Sequence, residues 1–86
     1  MDDSLANVYN NLGGTLQDAG DFLGAEAAFR DAIRVQPDLS AADYNLGALL
    51  ARIGRKNEGL SYLRIAAGSD DSGVRQAALD TIRKLQ

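Results

Sequence analysis

The sequence predicts an all-α fold of about five helices, each antiparallel to its neighbour. Three observations carry that prediction. Apolar residues recur at steps of three and four and nowhere sustain an alternation of period two, which marks one buried helix face rather than a strand. The periodic stretches are cut at Gly20, Pro37, Gly54 and Gly68, residue types that end helices. The connections left between them are only a few residues long, so successive helices must run back along one another.

The first stretch puts Leu5, Val8, Leu12 and Leu16 on one face. Ser4 suits its N-cap, and Asp2 and Asp3 suit the positive end of its dipole. It stops at Ala19, with Gly20 as C-terminal cap and Asp21 as cap of the next helix. The second stretch, Phe22, Ala25, Phe29, Ala32 and Ile33, ends before Pro37, which disfavours helix at Gln36 and lacks a backbone donor. A third runs through Ala42, Leu46, Leu49, Leu50 and Ile53 and is closed by Gly54; a fourth runs through Leu60, Leu63, Ala66 and Ala67 and fades at Gly68. The segment 69–73, Ser-Asp-Asp-Ser-Gly, is a loop that supplies caps. A last helix then turns Val74, Ala78, Ile82 and Leu85 inward.

Composition bounds the chemistry. The chain has 86 residues, 45% apolar and 24% charged, which suits one small globular domain. With no Cys and no His, disulfides, thiol catalysis, Cys/His zinc sites and Ser-His or Cys-His nucleophile pairs are excluded. The lack of Cys fits a reducing compartment. The acidic start lacks the basic residues of a secretory signal. The longest uncharged apolar run, residues 48–51, falls far short of the roughly 20 residues that span a membrane. A soluble, cytoplasmic protein is expected. A net charge of −3 does not favour a phosphate backbone, so nucleic acid is not expected as a partner. Residues 1–39 carry seven acidic and two basic side chains, residues 40–86 five and seven. That asymmetry either promotes head-to-tail contacts or orients a partner, or is scatter in a small sample.

The chain also repeats itself. Asn11-Leu12-Gly13 returns 34 residues later as Asn45-Leu46-Gly47, and Phe29 and Ala32 return as Leu63 and Ala66 at the same spacing. Gly20 lies seven residues after Gly13, and Gly54 seven after Gly47. This pattern resembles the tetratricopeptide repeat, a 34-residue helix pair with large, small and Pro residues at fixed places. With Ala6 as the first position, the eight marked positions fall on Tyr9, Leu12, Gly13, Leu16, Ala25, Phe29, Ala32 and Pro37, and all suit the family. With Ser40 as the first position they fall on Asp43, Leu46, Gly47, Leu50, Gly59, Leu63, Ala66 and Asp71. Six fit; Asp43 replaces the usual aromatic and Asp71 the Pro.

The resemblance implies helix pairs stacked as a short right-handed α-solenoid. It divides a single domain, residues 1–86, into one repeat at about 6–39, a second at about 40–73, and a capping helix at about 74–86. Glycine inside a helix costs roughly 1 kcal/mol relative to Ala, so Gly13 and Gly47 need a reason. Close approach of the partner helix at Ala25 and Gly59 provides one, with Leu12, Leu16 and Phe29 filling the space around the first contact. Repeat arrays expose an apolar face at each end, and a last helix with Arg75, Arg83 and Lys84 on its wet side suits a cap. The other reading is the start of a third repeat.

Function follows from the resemblance. The first helix of each repeat lines a concave groove that in this family takes an extended peptide or a partner helix, as a scaffold or adaptor does. Here the groove positions are Asn7, Asn10, Asn11, Gly14, Gln17 and Asp18 in the first repeat. In the second they are Ala41, Tyr44, Asn45, Ala48, Ala51 and Arg52. Asn11 and Asn45 occupy equivalent places and resemble the asparagine ladder of O-linked N-acetylglucosamine transferases; their amides either hold a peptide backbone or bond locally. The family's carboxylate clamp is poorly matched, since Asn10 and Gly14 stand where it needs Lys and Asn. Tyr44 either anchors a ligand among small residues or packs on the last helix. No catalytic group, cofactor or metal ligand set is expected, because the acid pairs Asp2/Asp3 and Asp70/Asp71 sit where helix starts favour carboxylates and no glycine cluster forms a phosphate loop. Two readings stay open: an adaptor that binds another protein or peptide in the groove, and a self-assembly module that forms a homo-oligomer or belongs to a longer array.

Overall fold

The computed structural model describes residues 3–86. They form α1 (Asp3–Asp18), α2 (Phe22–Val35), α3 (Ser40–Arg52), α4 (Lys56–Ala67) and α5 (Ser72–Leu85), with no strand among the described residues. Local chain chemistry explains most of the boundaries. Gly20 and Gly54 take φ of 85° and 91°, a left-handed conformation that only Gly adopts cheaply. The chain folds back behind them, as the Asp21 and Arg55 amides donate to the Leu16 and Leu50 carbonyls, each at 2.8 Å. The Asp21 carboxylate caps α2 by accepting from the Gly24 amide at 2.9 Å. α2 stops at Val35, two residues before Pro37.

Two turn readings shift. Ser4 is not an N-cap, because α1 has already begun at Asp3; the dipole roles of Asp2 and of the Asp3 side chain lie outside the described residues. α5 starts at Ser72, inside the segment read as a loop. Asp71 caps it by accepting from the Gly73 and Val74 amides at 2.9 and 3.2 Å, which draws both residues into the first turn.

The largest interfaces join α1 to α2 and α3 to α4; α2 rests on α3, and α5 lies across α4 and α3. The result measures 35 × 30 × 17 Å, with a short axis of about two helix layers. Ala25, Phe29, Leu46, Leu49 and Leu50 form the central cluster, flanked by Leu16, Phe22, Ile33, Ile53 and Tyr62. Ala32, Leu63, Ala66 and Ala78 are also fully buried, while Val74, Ile82 and Leu85 are partly buried and Arg75, Arg83 and Lys84 face solvent. Tyr9 is partly buried and Pro37 exposed.

The close approach of α3 and α4 runs through Gly47 and Gly59. A Cβ on Gly47 would stand 2.8 Å from the Gly59 carbonyl oxygen and 2.8 Å from Leu63 Cγ, so the pairing leaves no room for a side chain. In the first pair a Cβ on Gly13 would meet the Phe29 ring first, the side chain expected to fill the space around that contact. The expected inward face of α1 is likewise corrected. Leu5, Val8 and Leu12 are 44%, 58% and 44% exposed, whereas Ala42 and Leu46, 34 residues beyond Val8 and Leu12, are fully buried. The reason is positional: α2 covers that face of α3, and no described helix covers it on α1.

An ion-pair network that periodicity does not announce ties α2 to α4. Arg30 Nη2 lies 2.9 Å from Glu26 Oε2 and 2.7 Å from Glu58 Oε2, and Arg55 reaches Glu26 Oε1 and Glu58 Oε1, both at 2.7 Å. Arg30 also donates to the Tyr62 hydroxyl at 2.9 Å. The Arg55 hydrogen bonds hold the Glu26 and Glu58 carboxyls below the ordinary 4.5.

Candidate functional site

The residues assigned to the groove lie on the first helix of each pair, α1 and α3, at spacings that bring them to one side. Asn7, Asn11 and Arg52 are exposed, and Asn10, Gln17, Tyr44 and Asn45 are partly buried. Asn45 meets a different partner from its sequence equivalent. Its Nδ2 donates to Asn10 Oδ1 at 3.0 Å, so the amide contact between α1 and α3 joins Asn45 to Asn10, one residue before Asn11. The shift follows from helix pairing, since neighbouring helices meet along a diagonal and not position for position.

Tyr44 and Arg52 are also engaged. The Tyr44 hydroxyl lies 3.3 Å from Thr81 Oγ1. Because the Thr81 hydroxyl donates to the Ala77 carbonyl at 2.9 Å, Tyr44 is the donor of that bond. The contact ties α3 to α5, which is the packing alternative weighed for this residue. The Arg52 guanidinium sits 5.2 Å from the centroid of the Phe22 ring, a cation–π distance. Gly14 has open space around its Cα. Among the residues assigned to the groove, the structure thus gives one amide contact, Asn45 to Asn10, with Arg52 against Phe22 and Tyr44 bound to α5.

Sequence reasoning passed over two features. The Arg30 network joins residues 28 and 32 positions apart, and only the fold brings them together. Asp43, read as a departure from the repeat pattern, is 4% exposed, and burial pushes its carboxyl up to about 6. Its placement at a position otherwise taken by an aromatic was the one available signal. Among the described residues, no group of three or more acidic side chains is placed to hold a metal ion, and no helix is long and apolar enough to cross a membrane.

Comparison with known proteins agrees with the helix-pair architecture. The sequence profile described as "Tetratricopeptide repeat" matches residues 5–36. Over 60 residues, 70% of this chain, the sequence is 42% identical to tetratricopeptide repeat protein 8 of Caenorhabditis elegans; the match spans 12% of that protein's length. No solved structure matches significantly. Repeats of this kind are non-enzymatic and generally mediate protein–protein interaction. With two 34-residue-spaced glycine contacts, five antiparallel helices and these matches, the chain belongs to the tetratricopeptide repeat family.

Proposed function

We propose that this chain is a protein-interaction module in which two repeats, residues 6–39 and 40–73, with α5 as their cap, hold an extended segment of another protein along α1 and α3. Asn7, Asn10, Asn11, Gln17, Tyr44, Asn45 and Arg52 form the contact surface. The observation that carries this reading is the Asn45–Asn10 hydrogen bond. It leaves Asn45 Oδ1 able to accept and Asn10 Nδ2 able to donate, and reversing both amides leaves the same inventory. Such a pair matches the alternating N–H and C=O groups of an extended backbone whatever its sequence. No catalytic, cofactor or nucleic-acid role is part of this reading, and a cytoplasmic location suits a chain without Cys.

The test is selection of peptides from a displayed random library, followed by affinity measurement. Peptides enriched on the wild type are expected to lose about tenfold or more in affinity on an Asn10→Ala/Asn45→Ala variant with an unchanged melting temperature. Failure to enrich any peptide, or equal affinity for both proteins, refutes the groove.

A second reading has its own observation. Leu5, Val8 and Leu12 leave an apolar stripe open on α1, and the equivalent face of α3 is covered by α2. A helix of another repeat unit, in a second copy or a longer array, would cover the stripe in the same way. Light scattering over a concentration series tests the self-assembly form. Association that disappears in Val8→Lys/Leu12→Lys supports it, and a strict monomer at all concentrations counts against it.

A further inference from the structure

The two marked positions at which the second repeat departs from the repeat pattern converge in space. Thirty-four residues after Tyr9 stands Asp43, and thirty-four after Pro37 stands Asp71. Both line a cavity of about 450 Å³ between the α2–α3 connection and the α4–α5 connection, on the edge of the array away from the Asn10–Asn45 contact. Where a large ring would fill the interior at the start of α3, a short carboxylate leaves space. The turn facing it contributes a second carboxylate in place of a rigid imino ring.

The cavity is acidic without compensation. Asp38 and Asp70 join Asp43 and Asp71 in its wall, and no Lys or Arg is among the lining residues. Asp43 is 96% buried by residue area, and no hydrogen bond from a described residue reaches its carboxylate, so burial weakens its hydration, which persists only where the oxygens meet the cavity. Ser40 at the start of α3 and Ser69 in the α4–α5 connection, both in the cavity wall, bond to each other at 2.8 Å. Arg75 reaches the same loop but donates to the Ser69 carbonyl at 3.0 Å. At the mouth, Ile65 is 57% exposed and Pro37 is exposed, which gives an apolar rim to an anionic interior.

A metal ion is a poor match, because the acidic groups do not converge into a ligand set. A cation on a slender apolar stem fits within the cavity and matches its charge and its rim. We infer that this pocket receives the primary ammonium of a lysine side chain from a partner protein, with the Asp43 carboxylate as its buried counter-ion. The stem lies against Ile65 and Pro37, and Asp38 and Asp70 at the entrance attract the charge. The pocket is separate from the amide groove, so the two stand or fall independently.

The probe is Nα-acetyl-lysine methylamide, titrated into the 15N-labelled protein at low salt. Saturable shifts of the Asp43, Gly68 and Ser69 amides are expected. Nα-acetyl-norleucine methylamide, which has the stem without the charge, is expected to bind at least about tenfold more weakly, as is the lysine probe to Asp43→Asn. Asp80→Asn, the same charge change on α5 and outside the cavity wall, should retain wild-type affinity. Absence of shifts at these amides overturns the inference, as do equal binding of the norleucine probe and undiminished binding to a folded Asp43→Asn protein. Spermidine competes for the same carboxylate; binding tighter than the lysine probe, per ammonium group, overturns the assignment to a protein side chain.

Discussion

Asp43 puts a number on the competition between burial and charge in this fold. Its carboxyl is raised from 3.8 to about 6 by burial. The positive end of α3, in whose first turn it lies, does not offset that loss of hydration. The ionisable groups facing it from the two loops, Asp38, Asp70 and Asp71, bring no positive charge, and Arg75 of α5 is engaged with a backbone carbonyl. Between pH 3.8 and 6 the native state holds a proton on Asp43 that the unfolded chain has released, so the Asp43 contribution to stability falls as pH rises through that window and is level on either side. At about 1.4 kcal/mol per pH unit, the loss totals about 3 kcal/mol above pH 6. Asp43→Asn removes the charge and keeps the shape. It should be about 3 kcal/mol more stable than wild type at pH 7.5, or about 12–24 °C in Tm, and equal to it at pH 3.5. Urea unfolding followed by circular dichroism across this range measures the difference, and the titrations of Glu26 and Glu58 cancel because both proteins share them. An advantage that stays constant with pH, or a variant less stable at pH 7.5, refutes the account of an uncompensated buried carboxylate.

Other substitutions probe the packing. Gly47→Ala drives a Cβ against the Gly59 carbonyl and should cost about 1–3 kcal/mol, and Gly47→Leu should prevent folding. Gly14→Ala meets nothing within 4 Å and should gain about 0.5–1 kcal/mol; thermal melts distinguish them. Leu46→Ala should lose about 2–5 kcal/mol by emptying a buried site, whereas Leu12→Ala, at the equivalent but exposed position, should change stability by less than about 1 kcal/mol. Glu26→Gln deprives Arg30 and Arg55 of a shared acceptor and should cost about 1 kcal/mol at pH 7. Because the Glu26 carboxyl is held below 4.5, that difference should be complete above 4.5, vanish as pH falls through the lowered value, and shrink in 1 M salt. Tyr44→Phe removes the hydroxyl bond to Thr81 and should cost about 0.5–1 kcal/mol, read as faster amide hydrogen exchange in α5.

The helices and their order were legible because their signals are local. A left-handed Gly20 or Gly54, a capping Asp21 and a helix-ending Pro37 act within one turn of chain, and the 34-residue spacing of Gly13 and Gly47 named the helix pair before any contact was known. The candidate surface was legible only as a set of positions. Asn45 bonds to Asn10, a pairing the sequence does not announce, since the crossing of α1 and α3 and not the repeat register sets which amides meet.

Sequence by itself determined five helices, most of their boundaries, the close approach at Gly47 and Gly59 and the family resemblance, all of which depend on a residue's own conformational preferences or on an exact repeat. Tertiary structure alone decided which apolar residues are covered. Leu12 and Leu46 are the same residue at the same repeat position, yet one faces solvent and the other the core, because α2 covers that face of α3 and no described helix covers it on α1. It also decided that Asp43 and Asp71, 28 residues apart, wall one cavity. Burial and electrostatics depend on neighbours brought from elsewhere in the chain, and those neighbours exist only once the helices have stacked.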